Sequence, residues 1–355
     1  FSFKELRKDL ETMLKKQTGE VVKVPELKEL EVGEWNNKGV SLSSLGKYQE
    51  AIACYDRALE INPRNAMAWN NKGASLKSLC KYQEAIACYD NALEINPGDA
   101  DAWNNKGDAL RSLGKHQEAI ACCDKAIEVK PRDASAWNNK GNALGSLSKH
   151  QEAIVCFNRA LEINSRDTNA WVFKGASLRI LNKHQEAIGC FNRALEINPV
   201  FATAWYGKGV VLGNLGKYQE TIACYEKALE INPQNAGAWH NKGNALRKLG
   251  KYQEEIVCYD RALEIKPIDA EVWNNKGIAL DSLGKHQEAI ACYDRALEIN
   301  PGDATAWFGK AIAEDKSGRG QDAAFSYKRF IELAPSQYTK QIEHVRKRLR
   351  ELEER

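Results

Sequence analysis

Residues 66–99 read AMAWNNKGASLKSLCKYQEAIACYDNALEINPGD, and this 34-residue pattern returns along the chain, its tryptophans standing at 35, 69, 103, 137, 171, 205, 239, 273 and 307. A fixed period of this length marks a supersecondary unit that cannot bury its apolar face alone, so neighbouring units must stack. Inside the unit the apolar spacing is helical twice over. Ala66, Trp69, Gly73, Leu76 and Leu79 make one stripe; Tyr82, Ala85, Ile86, Tyr89, Ala92 and Leu93 make a second. Gly46, Gly114, Gly216, Gly250 and Gly284 stand at the break between the stripes, where a left-handed helix stop is easiest for glycine. Pro97 closes the second stripe, because the residue before a proline is pushed out of the helical region. Asp99, Asp133, Asp167, Asp269 and Asp303 are placed to cap the helix that follows. The spacing predicts an all-α chain of nine helix hairpins, from residues 32–65 to 304–337.

Ala-Trp-Asn-Asn-Lys-Gly at 68–73, Lys-Tyr-Gln-Glu-Ala-Ile at 81–86 and Ala-Leu-Glu-Ile-Asn-Pro at 92–97 resemble the tetratricopeptide repeat, and the likeness covers residues 32–337. The resemblance implies an α-solenoid, a right-handed superhelix whose first helices line a concave groove. Residues 1–31 are expected to form an amphipathic helix, through Phe3, Leu6, Leu10, Met13 and Leu14, and a linker. That helix either caps the first repeat or lies in a groove as a mimic of a partner. Residues 338–355 are expected to form a capping helix with Ile342, Val345, Leu349 and Leu352 on one face, as an array needs a polar-faced terminal helix to cover its last apolar surface. Flanks this short leave no room for a second globular domain within this chain, while the missing initiator Met leaves a preceding domain open.

Charged residues make up 28% and hydrophobic residues 43%, with a net charge of +3, so no single-sign field points to nucleic acid. No run is apolar enough for a membrane helix, and Phe1 to Lys16 is not a secretory signal. Eight of the ten cysteines, Cys54, Cys88, Cys122, Cys156, Cys190, Cys224, Cys258 and Cys292, share one repeat position and form a structural column. A reducing cytoplasm is their expected home. His116, His150, His184 and His286 alternate with Tyr48, Tyr82, Tyr218 and Tyr252 at one position, and interchange of rings argues for packing. No catalytic constellation, metal site or cofactor is expected.

Function is therefore sought on first-helix positions that do not pack. The residues after each Trp include Asn36, Asn70, Asn104, Asn138, Tyr206, His240 and Asn274, and the next positions Asn37, Asn71, Asn105, Asn139, Phe173, Asn241 and Asn275. Asparagine is an indifferent helix former, so its recurrence in helix interiors asks for a reason. An amide offers two donors and an acceptor, which suits the main chain of an extended peptide. By resemblance, the second column is similar to the asparagine ladder in the groove of O-linked N-acetylglucosamine transferases. Alternatively, the amides bond between adjacent repeats or to the preceding turn. Repeats five and six depart most. Val172, Phe173, Phe201, Tyr206 and Gly207 make either an apolar pocket for a partner's anchor or a repacked junction.

The carboxylate clamp of some relatives is not reproduced, because no Lys directly follows a Trp. Every copy instead carries Lys three residues after Trp, from Lys38 to Lys310, and Glu in the Ala-Leu-Glu stretch, from Glu60 to Glu332, columns expected to pair across junctions or, for the lysines, to bind phosphate. Glu255 replaces a small residue and is expected either to snorkel to solvent beside Lys251 or to loosen its junction. The sum is a protein–protein interaction scaffold that is not an enzyme and binds a partner's peptide segment, with self-association open. The alternative is the targeting arm of a larger enzyme such as a glycosyltransferase. Nucleic acid and membrane partners are not expected.

Overall fold

The computed structural model describes Thr12, Met13, Lys15, Lys16 and residues 31–335 and 338–353. The expectations for the N-terminal segment lie largely outside the described residues. A 13-residue first helix and a 14-residue second helix alternate from Val32–Ser44 and Tyr48–Ile61 to Ala304–Lys316 and Gly320–Leu333, followed by Thr339–Glu353. No strand occurs among the described residues. The helices fall into two compact units, one ending at Leu147 and the other beginning at Ser148.

Each hairpin is closed by side chains at fixed positions. The carboxylates of Asp99, Asp133, Asp167, Asp269 and Asp303 accept backbone N–H bonds in the first turn of the following helix, and the amide oxygens of Asn65 and Asn235 do the same. Phe201 holds that position in repeat six and makes no side-chain cap. The Trp indole N–H reaches back to the turn between repeats, donating to the carbonyls of Pro63, Pro97 and Pro131 at 2.9–3.0 Å and likewise in later copies. In most repeats one ring of the second helix drops onto the glycine of its own first helix, while in repeat three Cys123 takes that place against Gly107. A Cβ added at Gly73 or Gly243 would lie 2.6 Å from the ring of Tyr89 or Tyr259, so side chains are excluded there.

Between the two helices the chain turns through a left-handed residue. Gly46, Gly114, Gly216, Gly250, Gly284 and Gly318 take φ of 70–78°, while Cys80, Ser148 and Asn182 adopt the same conformation with φ of 58–61°. For a non-glycine residue the left-handed region costs about 1–2 kcal/mol, offset partly by glycine's greater entropy when unfolded. Cys80→Gly is therefore expected to stabilise the fold by roughly 0.5–1 kcal/mol, read as a higher denaturation midpoint; Asn182→Gly should gain less, because asparagine tolerates this region.

The last helix packs Val345 and Leu349, both buried, with Ile342 and Leu352 against Tyr327 and Phe330. Phe330 stands where earlier repeats carry a small residue such as Ala58 or Ala296, which there admits the next hairpin. With a single helix following, the phenyl ring fills that space and meets Phe308 and Tyr338 at centroid distances of 4.8 and 6.0 Å. Arg348 fixes the helix by two parallel bonds of 2.8 Å to the carboxylate of Asp315. Glu255 does not reach solvent. It is fully buried, and Lys251 pairs with Glu254 at 2.9 Å instead.

Candidate functional site

The two asparagine columns are joined to one another on a diagonal. The Nδ2 of Asn71 donates to Oδ1 of Asn36 at 3.2 Å, Asn105 to Asn70 at 3.1 Å, and Asn139 to Asn104 at 2.8 Å. Each bond links the second column of one repeat to the first column of the repeat before, a separation of 35 residues rather than the period of 34. Asn36, Asn138, Asn274 and Asn275 are buried, Asn70, Asn71, Asn104, Asn105, Asn139 and Asn241 are half-buried, and Asn37 is exposed. The recurrence of asparagine inside these helices thus has a structural cause, since one amide bonds across every such junction. A net contribution of about 1 kcal/mol per bond is the ordinary scale.

Where the sequence changes, the bond changes with it. Tyr206 puts its hydroxyl in place of the amide oxygen and accepts from Asn241 Nδ2 at 3.0 Å. His240 offers Nε2, which lies 3.0 Å from Asn275 Nδ2 and can accept that proton only when unprotonated. Burial holds its imidazole below the usual histidine range, which keeps the acceptor form. Asn275 is fixed at its other end by Arg247, whose Nη1 donates to Oδ1 at 3.2 Å. At the junction of repeats five and six both partners are replaced at once: Val172 is buried in the core, and Gly207 is filled by the ring of Phe191, 2.5 Å from where a Cβ would stand. No buried amide is left orphaned by that double change. Opposite Gly309, by contrast, Asn274 donates to Thr305 Oγ1 at 3.3 Å while its buried Oδ1 has no hydrogen-bond partner among the described residues.

The apolar residues of repeats five and six thus repack a junction. Phe201 and Val172 belong to one cluster around Phe191 and Leu195. Tyr206 packs on Tyr225 at 5.8 Å as well as holding the ladder. Phe173 alone of these stays accessible, 37% exposed and stacked at 6.1 Å on Phe157.

The lysine column pairs across junctions, but not with the glutamates of Ala-Leu-Glu. Lys72, Lys106, Lys140, Lys276 and Lys310 reach Asp56, Asp90, Asp124, Asp260 and Asp294 of the preceding repeat at 2.6 Å, and Lys242 reaches Glu226 at 2.9 Å. Glu60 and its equivalents are held on their own helix, as by Arg57 at 2.6 Å. Each ammonium also lies over its own Trp, at 5.1–5.7 Å from the ring centroid. The cysteines are all free thiols, buried except Cys80. Burial pushes Cys88, Cys190, Cys258 and Cys292 up to about 11, away from the reactive thiolate form. Among the described residues no group of His, Cys, Asp and Glu is arranged to hold a metal, and no helix is long and apolar enough to cross a membrane.

A family model described as the tetratricopeptide repeat matches residues 33–65, 66–99, 100–133, 134–167, 202–235 and 270–303. Two further models of this repeat match 224–256, and 175–216 with 243–284. Among solved structures, the APC/C hetero-tetramer Cut9–Hcn1 is similar in fold, with a TM-score of 0.55 at 15% identity over 88% of this chain and 76% of that one. YrrB, described as a TPR protein with an unusual peptide-binding site, is 27% identical with a TM-score of 0.42, over 53% of this chain and 97% of that one. MamA is 24% identical with a TM-score of 0.42, over 48% and 94%. No curated protein matches.

Proposed function

This chain belongs to the tetratricopeptide repeat family, and we propose that it is a protein–protein interaction scaffold whose first helices hold a peptide segment of a partner. The observation that carries this reading is the amide ladder. Asn71, Asn105 and Asn139 each spend one N–H on the preceding repeat, which fixes the amide in one orientation. The rest of each half-buried amide keeps an oxygen and a second N–H, already ordered, for the main chain of a bound segment. Ordering them beforehand removes part of the entropy cost of binding, about 0.5–1.5 kcal/mol for each side chain otherwise immobilised. Phe173, accessible in the second unit, offers an aromatic contact of its own to an apolar side chain.

A peptide selected by display against the wild-type chain gives the test. The triple variant Asn71→Ala, Asn105→Ala, Asn139→Ala, checked for intact helicity, is expected to bind that peptide at least tenfold more weakly, alongside a loss of stability on the order of 1 kcal/mol per bond. Unchanged affinity at lowered stability would leave the ladder a purely structural device.

A further inference from the structure

Lys174 and Lys208 differ from the rest of their column. In six other repeats the ammonium is neutralised by a carboxylate from the preceding second helix. The second helices preceding Lys174 and Lys208 hold Asn158 and Asn192 at that position, which carry no charge. Both lysines remain half-buried, over the rings of Trp171 and Trp205 at 5.2 and 5.5 Å, and neither pairs with a carboxylate among the described residues. Two consecutive repeats thus keep the cation, its aromatic seat and its burial while losing the anion.

The surface beside Lys174 is open. A cleft of about 500 Å³ in repeat five is lined by Trp171, Lys174, Cys190, Asn192 and Arg193, with Gly189 in its wall. A Cβ on Gly189 would meet nothing within 4 Å, whereas Ala or Val occupies that position in the other repeats from one to eight, so the wall beside Lys174 lacks that side chain. The glutamates at its edge, Glu186 and Glu196, are already paired with Lys183 and Arg193 three residues away on their own helix.

We propose that this cleft is a second binding surface, on which an acidic segment of a partner protein places carboxylates against Lys174 and Lys208. Carboxylate is the group that neutralises the same ammonium elsewhere in the chain, so the two lysines keep a charge preference that their own asparagines do not meet. The two lysines stand one repeat apart, at least the ~8–10 Å of helix packing. An extended chain covers that distance in about three residues, at ~3.3–3.6 Å each, so the fitting segment carries Asp or Glu about three residues apart. This surface involves neither amide column and stands independently of the ladder.

The test exchanges the missing anions back in. Asn158→Asp with Asn192→Asp recreates the pairs present in the other repeats, so the variant is expected to fold and to melt at or above the wild-type temperature. The probe is a fluorescein-labelled decapeptide with Glu at every third position and Gly between, with the Gln/Gly peptide of the same pattern as control, followed by fluorescence anisotropy. Wild type is expected to bind the Glu peptide saturably and to weaken with added salt, and the double variant to bind at least tenfold more weakly. Lys174→Gln with Lys208→Gln should give the same loss. Equal binding of Glu and Gln peptides, equal binding by wild type and the Asp variant, or tighter binding of a single-stranded oligonucleotide of matched charge would each overturn the proposal.

Discussion

Phe191→Ala is expected to destabilise the second unit by about 4–5 kcal/mol, the upper end of the range for removing a buried phenyl ring. The cost of such a truncation depends on how far the surroundings can collapse into the space left. Phe191 is 1% exposed and lies between two residues with no side chain, Gly175 of its own repeat and Gly207 of the next; Cβ atoms there would stand 3.1 and 2.5 Å from the ring. Neither glycine can swing anything into the cavity. Their backbones are held in helices Thr168–Ile180 and Ala202–Asn214, and three further members of the cluster, Ala187, Ala194 and Ala204, are short. Because arrays unfold by segments as well as globally, the effect should appear most sharply as faster amide exchange in helices His184–Ile197 and Ala202–Asn214. Exchange in Val32–Ser44 should change little. Restoring volume at the glycine, with Gly207→Ala on the Phe191→Ala background, is expected to recover part of the loss, whereas Gly207→Ala alone should be destabilising because its Cβ collides with the ring.

That pair shows where sequence reading succeeded and where it stopped. The period of 34, the two helical stripes, the acidic caps at Asp99 and Asp303 and the left-handed glycines follow from local rules, since each depends on a few adjacent residues. The partners across a junction depend on how one hairpin is offset against the next, which no local rule fixes. An offset of one residue decides whether Asn71 meets the amide at 37 or the one at 36, and the structure chooses Asn36. The same offset gives the lysines Asp56 and its equivalents, leaving Glu60 to Arg57. A signal was available: Val172 and Gly207, 35 residues apart, lose their amides together. Within its own repeat Gly207 stands next to Tyr206, whereas its packing partner Phe191 lies one repeat back, a pairing that spacing within a repeat does not reveal.

Glu255→Ala is expected to stabilise the protein by roughly 2–3 kcal/mol at pH 8 and to do nothing of the kind at pH 4.5. Glu255 is fully buried at a position that small residues fill in other repeats, and neither carboxylate oxygen has a hydrogen-bond partner among the described residues. The nearest cation, Nε of Arg247, is 3.9 Å away, and that guanidinium also donates to Asn275. Glu314, the other deeply buried glutamate among the described residues, is handled differently, accepting a 2.7 Å bond from Ser326 with Lys310 at 3.7 Å. Burial pushes the Glu255 carboxyl up to about 7, against 4.5 for the free group, with Tyr259 and Arg247 offsetting only part of the rise. A raised carboxyl pKa means that the folded protein binds the proton more tightly than the unfolded chain. Below pH 4.5 both states are protonated and the penalty is absent; between 4.5 and 7 it grows as pH rises; above 7 it is complete, at roughly 3 kcal/mol for a shift of this size. Alanine removes the ionising group, so the variant's stability should be flat through that window while the wild type declines. At low pH alanine should be slightly the less stable of the two, having lost one buried methylene and the packing of the protonated carboxyl. Denaturation midpoints of both proteins at pH 4.5, 6 and 8 decide the matter, with amide exchange in Tyr252–Ile265 locating the effect. A difference that does not vary with pH would show that the carboxylate is solvated in the folded state after all.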